Sequence, residues 1–135
     1  MRLRRALDAS TIADCERRYR SIWGCITRPG WAWWAIDGDP SLGFCAAAIT
    51  ADGTTVRLEH AWTAPEMRGQ GWQSRMIRVR VSFGRRRGVD RAYTYTHVTN
   101  VKSQRNIARA GLLPTRHIPE KDGLGWLVYE KALRS

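Results

Sequence analysis

The sequence predicts a single mixed α/β domain that spans residues 1–135. Three observations support this fold class. The chain has 135 residues, of which 43% are hydrophobic, and this suits one compact core. Its apolar residues recur at helical spacing in some segments and alternate as in strands in others. A glycine pair, Gly69 and Gly71, lies where a predicted strand gives way to a predicted helix.

The first half of the chain is predicted to form a strand, a helix and three further strands. Asp8 or Ser10 caps the helix and Gly24 ends it, since these residue types favour those positions. The dipeptide Asp52-Gly53 between two apolar runs indicates a hairpin turn. The predicted elements are the edge strand 3–7, the helix with apolar positions Ile12, Cys15, Tyr19, Ile22 and Trp23, and the strands 31–36, 43–50 and 54–63.

The second half is predicted to form two helices and three strands. The central helix begins after Gly71 and runs to Gly88, and a second helix over 100–110 ends at Gly111. The strands are 91–97, 112–118 and 124–131, with a turn over 120–123. One face of the central helix is apolar and consists of Trp72, Met76, Ile77, Val81 and Gly84.

The charge of the chain favours an anionic partner. There are 23 lysines and arginines against 12 acidic residues, a net charge of +11, and all but three of the basic residues are arginines. Arginine offers a planar fork that binds phosphate or carboxylate through two hydrogen bonds. A solvated basic face with no partner is the alternative, and the sequence leaves the two open.

Several classes of protein are excluded by what the sequence lacks. No apolar run is long enough to cross a membrane, and no apolar signal-peptide core follows the first five residues, so a cytoplasmic location is expected. Cys15, Cys25 and Cys45 are odd in number and lack metal-ligand spacing. We therefore expect neither a disulfide framework nor a metal site.

The most informative segment is 63–73, TAPEMRGQGWQ, at the junction of strand and central helix. A helix start presents backbone N–H groups without partners, and glycines let an anion approach the chain closely. The spacing of the glycines matches neither a P-loop nor a Rossmann dinucleotide turn. The segment therefore predicts an anion site of a different kind.

This segment resembles the acyl-CoA pyrophosphate loop of the GNAT acyltransferase superfamily, [QR]-x-x-G-x-[GA] after an apolar-x-Pro strand end. Pro65, Arg68 and Gly71 match that pattern. Residues 100–112, NVKSQRNIARAGL, resemble the N-x-x-S-x-R-x-x-x-x-x-G-[FL] helix of the same superfamily, and especially of its ribosomal-protein N-terminal acetyltransferase branch. The resemblance covers the whole chain. It implies a mostly antiparallel sheet of six to seven strands with splayed central strands and about three flanking helices.

The resemblance also implies a cosubstrate and its contacts. Acetyl-CoA would lie with its pyrophosphate on the backbone amides of the loop and its pantetheine arm beside the strand that ends at Thr63. Ser103 would lie near the thiol and assist the reaction. The residues implied to contact acetyl-CoA are Thr63, Ala64, Met67, Arg68, Gly69, Gln70, Gly71, Trp72, Gln73, Asn100 and Ser103.

Acyl transfer to an amine needs a group that accepts the amine's proton. Glu59 and His60 precede the loop and point to opposite faces of a regular strand, so one of them at most faces the acceptor. We favour Glu59, which shares a face with Thr63, whereas His60 shares its face with core residues. The structural alternatives are an ion pair for Glu59 and half-buried packing for His60.

The sequence thus predicts an N-acyltransferase that acts on an amine of an acidic protein, a ribosomal complex or a nucleic acid. Self-association into a homodimer is left open. The alternative function is a nucleic-acid-binding or nucleic-acid-modifying protein on a degenerate scaffold of this type. Gln73 stands where the loop pattern has Gly or Ala, and Ile107 where many members carry a tyrosine, so the alternative stays open. The arginines that crowd the central helix and its exit serve either function: Arg75, Arg78, Arg85, Arg86, Arg87 and Arg91.

Overall fold

A computed structural model describes residues 1–24, 27–121 and 123–134. It contains three helices and seven strands in the predicted order, among the described residues. Cys25 and position 122 of the predicted turn over 120–123 lie outside the described residues. The elements are β1 (Leu3–Arg5), α1 (Ala9–Trp23), β2 (Ala32–Ile36), β3 (Gly43–Ile49), β4 (Thr55–Thr63), α2 (Trp72–Arg86), β5 (Arg91–His97), α3 (Val101–Arg109), β6 (Leu113–Ile118) and β7 (Trp126–Ala132).

The seven strands form one sheet in the order β1-β2-β3-β4-β5-β7-β6. β4 pairs with β5 in parallel over Thr55–Arg57 and Arg91–Tyr93, whereas β1–β2, β2–β3, β5–β7 and β6–β7 are antiparallel. The mixed α/β class and the mostly antiparallel sheet are therefore confirmed. The sequence analysis did not anticipate that β7 lies between β5 and β6.

By its contacts the chain divides into two compact units. Unit 1 consists of Met1–Ala48 and Glu59–Met76, and unit 2 of Ile49–Leu58 and Ile77–Ser135. β4 and α2 each contribute residues to both units.

In unit 1, α1 begins and ends as the sequence predicts. The Asp8 side chain accepts a hydrogen bond from the Thr11 N–H at 2.9 Å and caps the helix. Gly24 adopts a left-handed conformation with φ of +65° and donates its N–H to the Arg20 carbonyl. Bonds to the Thr11 N–H, Ser10 and the Thr11 hydroxyl lower the pKa of Asp8 to about 2.

The core of unit 1 is aromatic. The Tyr19 ring lies 4.9 Å from that of Trp23, 5.4 Å from Trp31 and 5.9 Å from Trp33. The Arg5 guanidinium lies 5.2 Å from the Trp34 ring. Trp33 and Trp34 are both buried and therefore pack in the core.

In unit 2, α2 packs closely on β4. A Cβ added at Gly84 would lie 2.5 Å from Val56 Cγ1, so glycine allows this approach. Arg80, one turn after Met76 on the same helix, is 3% exposed. β6 is exposed along its whole length and forms the edge of the sheet.

Among the described residues, no helix is long and apolar enough to cross a membrane. Within the same part of the chain, no three His, Cys, Asp or Glu side chains come together as a metal site. Cys15 and Cys45 are buried thiols.

Candidate active site

The strand-to-helix junction of unit 1 has an unusual backbone. After β4, residues Pro65–Met67 form one turn of 3₁₀-helix, and the chain then passes through Gly69 and Gly71, at φ of +78° and +80°, into α2. A Cβ added at either glycine would meet nothing within 4 Å. The left-handed backbone therefore favours glycine, and the space beside both residues is open.

The start of α2 carries donors that the fold does not use. The Arg75 N–H makes the first helical bond, to the Gly71 carbonyl at 3.2 Å. Among the described residues, the N–H groups of Gly69, Gly71 and Trp72 donate no hydrogen bond. The Trp72 side chain is 3% exposed, and its indole Nε1 has no partner within the same residues. Buried donors without acceptors are rare in folded proteins and indicate a ligand or water.

The charge of this helix start is also unusual. The first turn of α2 contains no acidic residue. The Arg75 guanidinium lies 4.1 Å from the Trp72 ring and donates to the Met1 carbonyl at 3.2 Å. Helix starts favour anions because the helix dipole is positive there, so a cation without a carboxylate nearby is electrostatically unfavourable unless an anion binds.

The side chains of the loop partly stabilise the loop itself. Arg68 Nε donates to the Thr63 carbonyl at 3.0 Å, and Gln70 Nε2 donates to the Glu66 carbonyl at 3.4 Å. The Ala64 N–H donates to the Leu42 carbonyl at 3.0 Å, and Met67 is buried. Arg68, the residue of the loop pattern, thus holds the end of β4 against the loop.

β4 places the two candidate bases in different surroundings. Glu59 is 6% exposed. His60 is half-buried and stacks on Trp23, with ring centroids 4.8 Å apart and planes at 14°. Its ring also lies 6.0 Å from that of Tyr19, so His60 belongs to the aromatic cluster on α1.

At the end of β4 the Thr63 hydroxyl is buried. Thr63 is 7% exposed, and its Oγ1 has no hydrogen-bond partner among the described residues. Glu59, Thr63 and Trp72 all belong to unit 1, together with the loop that joins β4 to α2.

In unit 2, Asn100 caps a helix. Its Oδ1 accepts a hydrogen bond from the Ser103 N–H at 3.1 Å, at the start of α3. Asn100 is exposed and Ser103 is half-buried. The sequence analysis assigned Asn100 to acetyl-CoA through the resemblance and did not consider this capping role, although an asparagine before a helix is a common cap.

The sequence analysis named Trp72 and Arg75 without identifying what distinguishes them. It named Trp72 as one of the loop residues that contact acetyl-CoA and as part of the apolar face of the central helix. It named Arg75 only as one of six arginines near that helix. The absence of any carboxylate beside Arg75 in a first helical turn could have been read from the sequence. The buried indole N–H could not, because it depends on tertiary packing.

Comparison with known proteins identifies a family. The family model described as "Acetyltransferase (GNAT) family" matches residues 3–112. No curated protein has significant sequence similarity to the chain.

Solved structures share the fold at low sequence identity. An aminoglycoside 6'-N-acetyltransferase complexed with coenzyme A has a TM-score of 0.77 and 14% identity, over 100% of this chain and 98% of the other. A Salmonella typhimurium acetyltransferase with its cofactor acetyl-CoA has a TM-score of 0.76 and 17% identity, over 100% and 95%. The Escherichia coli ribosomal-protein-S18-alanine N-acetyltransferase has a TM-score of 0.73 and 12% identity, over 99% and 96%. At these identities the similarity concerns the fold alone.

Proposed function

Because the chain belongs to the acetyltransferase (GNAT) family, whose enzymes use acetyl-CoA, we propose that it transfers the acetyl group to an amine on an acidic macromolecule. This proposal rests on the start of α2, where, in the part of the chain that the structure describes, N–H donors have no acceptor, the first turn has no carboxylate beside Arg75, and the space beside Gly69 and Gly71 is open. An anionic group bound at this point would accept hydrogen bonds from the donors, neutralise the Arg75 cation and occupy the open space.

We assign the pyrophosphate of acetyl-CoA to this position. The N–H groups of Gly69, Gly71 and Trp72 would donate to its oxygens, and Gln70 and Gln73 would flank it. The Trp72 indole N–H offers a further donor, and the open space beside both glycines leaves room for a phosphate.

The pantetheine arm would follow the end of β4. The buried Thr63 hydroxyl, which has no hydrogen-bond partner among the described residues, would bond to the arm or to the acyl carbonyl. Ala64, Met67 and Arg68 would support this segment from within the loop. Asn100 and Ser103 remain proposed contacts, with Asn100 using its amide nitrogen because its oxygen caps α3.

We propose Glu59 as the general base. Acetyl-CoA supplies the acetyl group as a thioester when bound. A strand rises about 3.3 Å per residue, so Glu59 lies about 13 Å along β4 from Thr63, farther than one water can bridge, and would take the amine's proton through a chain of waters. His60 is the weaker candidate, because it is stacked on Trp23. The backbone N–H near Thr63 would stabilise the oxyanion.

The charge of the protein favours an acidic acceptor. A net charge of +11 repels cationic amines such as aminoglycosides and polyamines, and attracts acidic peptides. This is the basis for the finer proposal that the enzyme acts like the ribosomal-protein N-terminal acetyltransferases. Self-association, a cytoplasmic location and action of the whole chain as one domain stay predictions.

The transfer is tested with radiolabelled acetyl-CoA and a panel of acceptors: peptides with acidic N-terminal sequences, peptides of neutral sequence, spermidine and kanamycin. Labelling of the acidic peptides in preference to the two cationic amines is expected. Preferential labelling of kanamycin or spermidine would contradict the assigned acceptor class.

The role of Glu59 is tested in the same assay. Glu59→Gln should lower kcat about 10²–10⁴-fold and leave the acetyl-CoA affinity unchanged, since a base acts on the amine and not on the cofactor. His60→Gln is the matched control and should retain turnover. A fully active Glu59→Gln together with an inactive, folded His60→Gln would reverse the assignment.

A further inference from the structure

The positive charge of the chain is concentrated in unit 2. This unit carries 14 of the 23 basic residues and 5 of the 12 acidic residues, a net charge of +9. Unit 1 carries 9 basic and 7 acidic residues, a net charge of +2. Whatever the excess charge binds should therefore bind unit 2.

Within unit 2 several cations converge at one end. Lys131 Nζ, on β7, donates to the Ala110 carbonyl after α3 at 3.1 Å, and an Arg134 guanidinium nitrogen donates to the Gly88 carbonyl after α2. Arg91, at the start of β5, pairs in register with Ala132 of β7. The ends of α2, α3 and β7 thus meet where β5 begins. We call this surface the basic end; its cations are Arg85, Arg86, Arg87, Arg91, Arg109, Lys131 and Arg134, of which all but the half-buried Lys131 are exposed.

The fold neutralises only part of this charge. Asp90 pairs with Arg134 at 3.2 Å. The pKa of Asp52 is lowered to about 2, chiefly by bonds from the Thr50 hydroxyl and the Thr54 N–H, with a smaller contribution from Arg91. Glu130 precedes Lys131 on β7. With these three carboxylates and about half a negative charge from each of the two helix ends, the seven cations leave a net charge of about +3.

We propose that the basic end of unit 2 binds the phosphate backbone of a nucleic acid without reading its base sequence. Protein-binding surfaces are depleted of charge at their centre and enriched in aromatic residues, whereas nucleic-acid-binding surfaces are strongly positive. The exposed cations here are all arginines, whose planar fork matches phosphate. Contacts to phosphate position a nucleic acid but do not select a sequence. This inference does not depend on acetyl transfer.

The test is fluorescence anisotropy with labelled 20-base-pair RNA and DNA duplexes of scrambled sequence, from 50 to 200 mM NaCl and without acetyl-CoA. A net charge of about +3 predicts a slope of log K against log salt near −3, a loss of affinity of about 50-fold over that range. Binding of either duplex supports the proposal, and the two arms tell which nucleic acid is preferred. No binding at 50 mM would overturn it.

Two triple variants distinguish binding at the basic end from attraction by the net charge of the whole protein. R85Q/R86Q/R87Q should bring the slope close to zero, because each arginine that binds a phosphate contributes about 0.9. R2Q/R20Q/R28Q removes the same charge from exposed positions of unit 1 and should leave the slope near −3. Equal loss of binding in both variants would overturn the proposal.

The remaining probe in the anisotropy experiment is polyglutamate with the same number of negative charges as the duplexes. Weaker binding to polyglutamate than to the duplexes is expected, and equal or tighter binding would show that the partner is an acidic protein. Circular dichroism melting verifies that both triple variants are folded. A retained acetyl-CoA stability shift in R85Q/R86Q/R87Q would show that a binding defect is independent of the acetyltransferase function.

Discussion

Gly84 allows α2 to pack directly on β4, and Gly84→Ala should destabilise unit 2. In a helix interior alanine is favoured over glycine by about 1 kcal/mol, so the substitution would stabilise an isolated helix. In the protein the new Cβ would lie 2.5 Å from Val56 Cγ1, 2.8 Å from Val56 Cβ and 3.1 Å from Val89 Cγ2. Both valines are at most 1% exposed and cannot move aside. Overpacking of this kind costs about 1–3 kcal/mol, and the helix-propensity gain offsets about 1 kcal/mol of it, so we expect a net loss of up to about 2 kcal/mol.

Urea denaturation followed by circular dichroism measures the effect, and Val56→Ala supplies the second arm of a double-mutant cycle. Val56→Ala removes the closest overlap but keeps Cβ at 2.8 Å, so Gly84→Ala should cost less in the Val56→Ala background, though not nothing. An equal cost in both backgrounds, or a Gly84→Ala protein more stable than the native one, would refute the packing argument.

Three further predictions concern caps and buried thiols. Asn100→Ala should lower the free energy of unfolding by about 1 kcal/mol in urea denaturation, whereas Asn100→Ser should retain the cap and the stability. Burial raises the pKa of Cys15 to about 12, so Ellman's reagent at pH 8 should label neither Cys15 nor Cys45 until the protein is unfolded. The corresponding stabilisation is complete below the ordinary thiol pKa and is lost as the pH rises towards 12, a dependence that Cys15→Ala should remove. The pKa of Asp8 is lowered to about 2, so its stabilisation is complete above pH 4 and is lost as the pH falls through 2, and Asp8→Asn should keep the cap but abolish this acid dependence in melting experiments.

The sequence predicted the elements well because their signals are local. Asp8 and Gly24 bound α1 as a cap and a left-handed stop. The change from period 3.6 to period 2 correctly located the strands on either side of α2. The sheet order was not accessible in this way, because only long-range pairing puts β7 beside β5.

The candidate site was accessible only in part. The loop was recognised from the spacing of Arg68 and Gly71, and Gly71 lies in the left-handed region at φ of +80°, which favours glycine. The stacking of His60 on Trp23 and the burial of the Trp72 indole depend on tertiary packing between distant residues, so no local pattern could indicate them. The capping role of Asn100 could have been predicted from its position before a helix.

The central claim is that the loop before α2 holds acetyl-CoA, and the shift in unfolding free energy with added acetyl-CoA tests it most directly. At a hundred times its dissociation constant, a ligand bound only to the folded state stabilises by about 2.7 kcal/mol. Gly71→Glu should abolish the shift, because the side chain would fill the open space and add negative charge beside the phosphates. Gly53→Glu is the matched control, at φ of +73° in a turn that is equally open, and should keep the full shift. A native protein that millimolar acetyl-CoA does not stabilise, or a Gly71→Glu variant that keeps the full shift, would contradict the account.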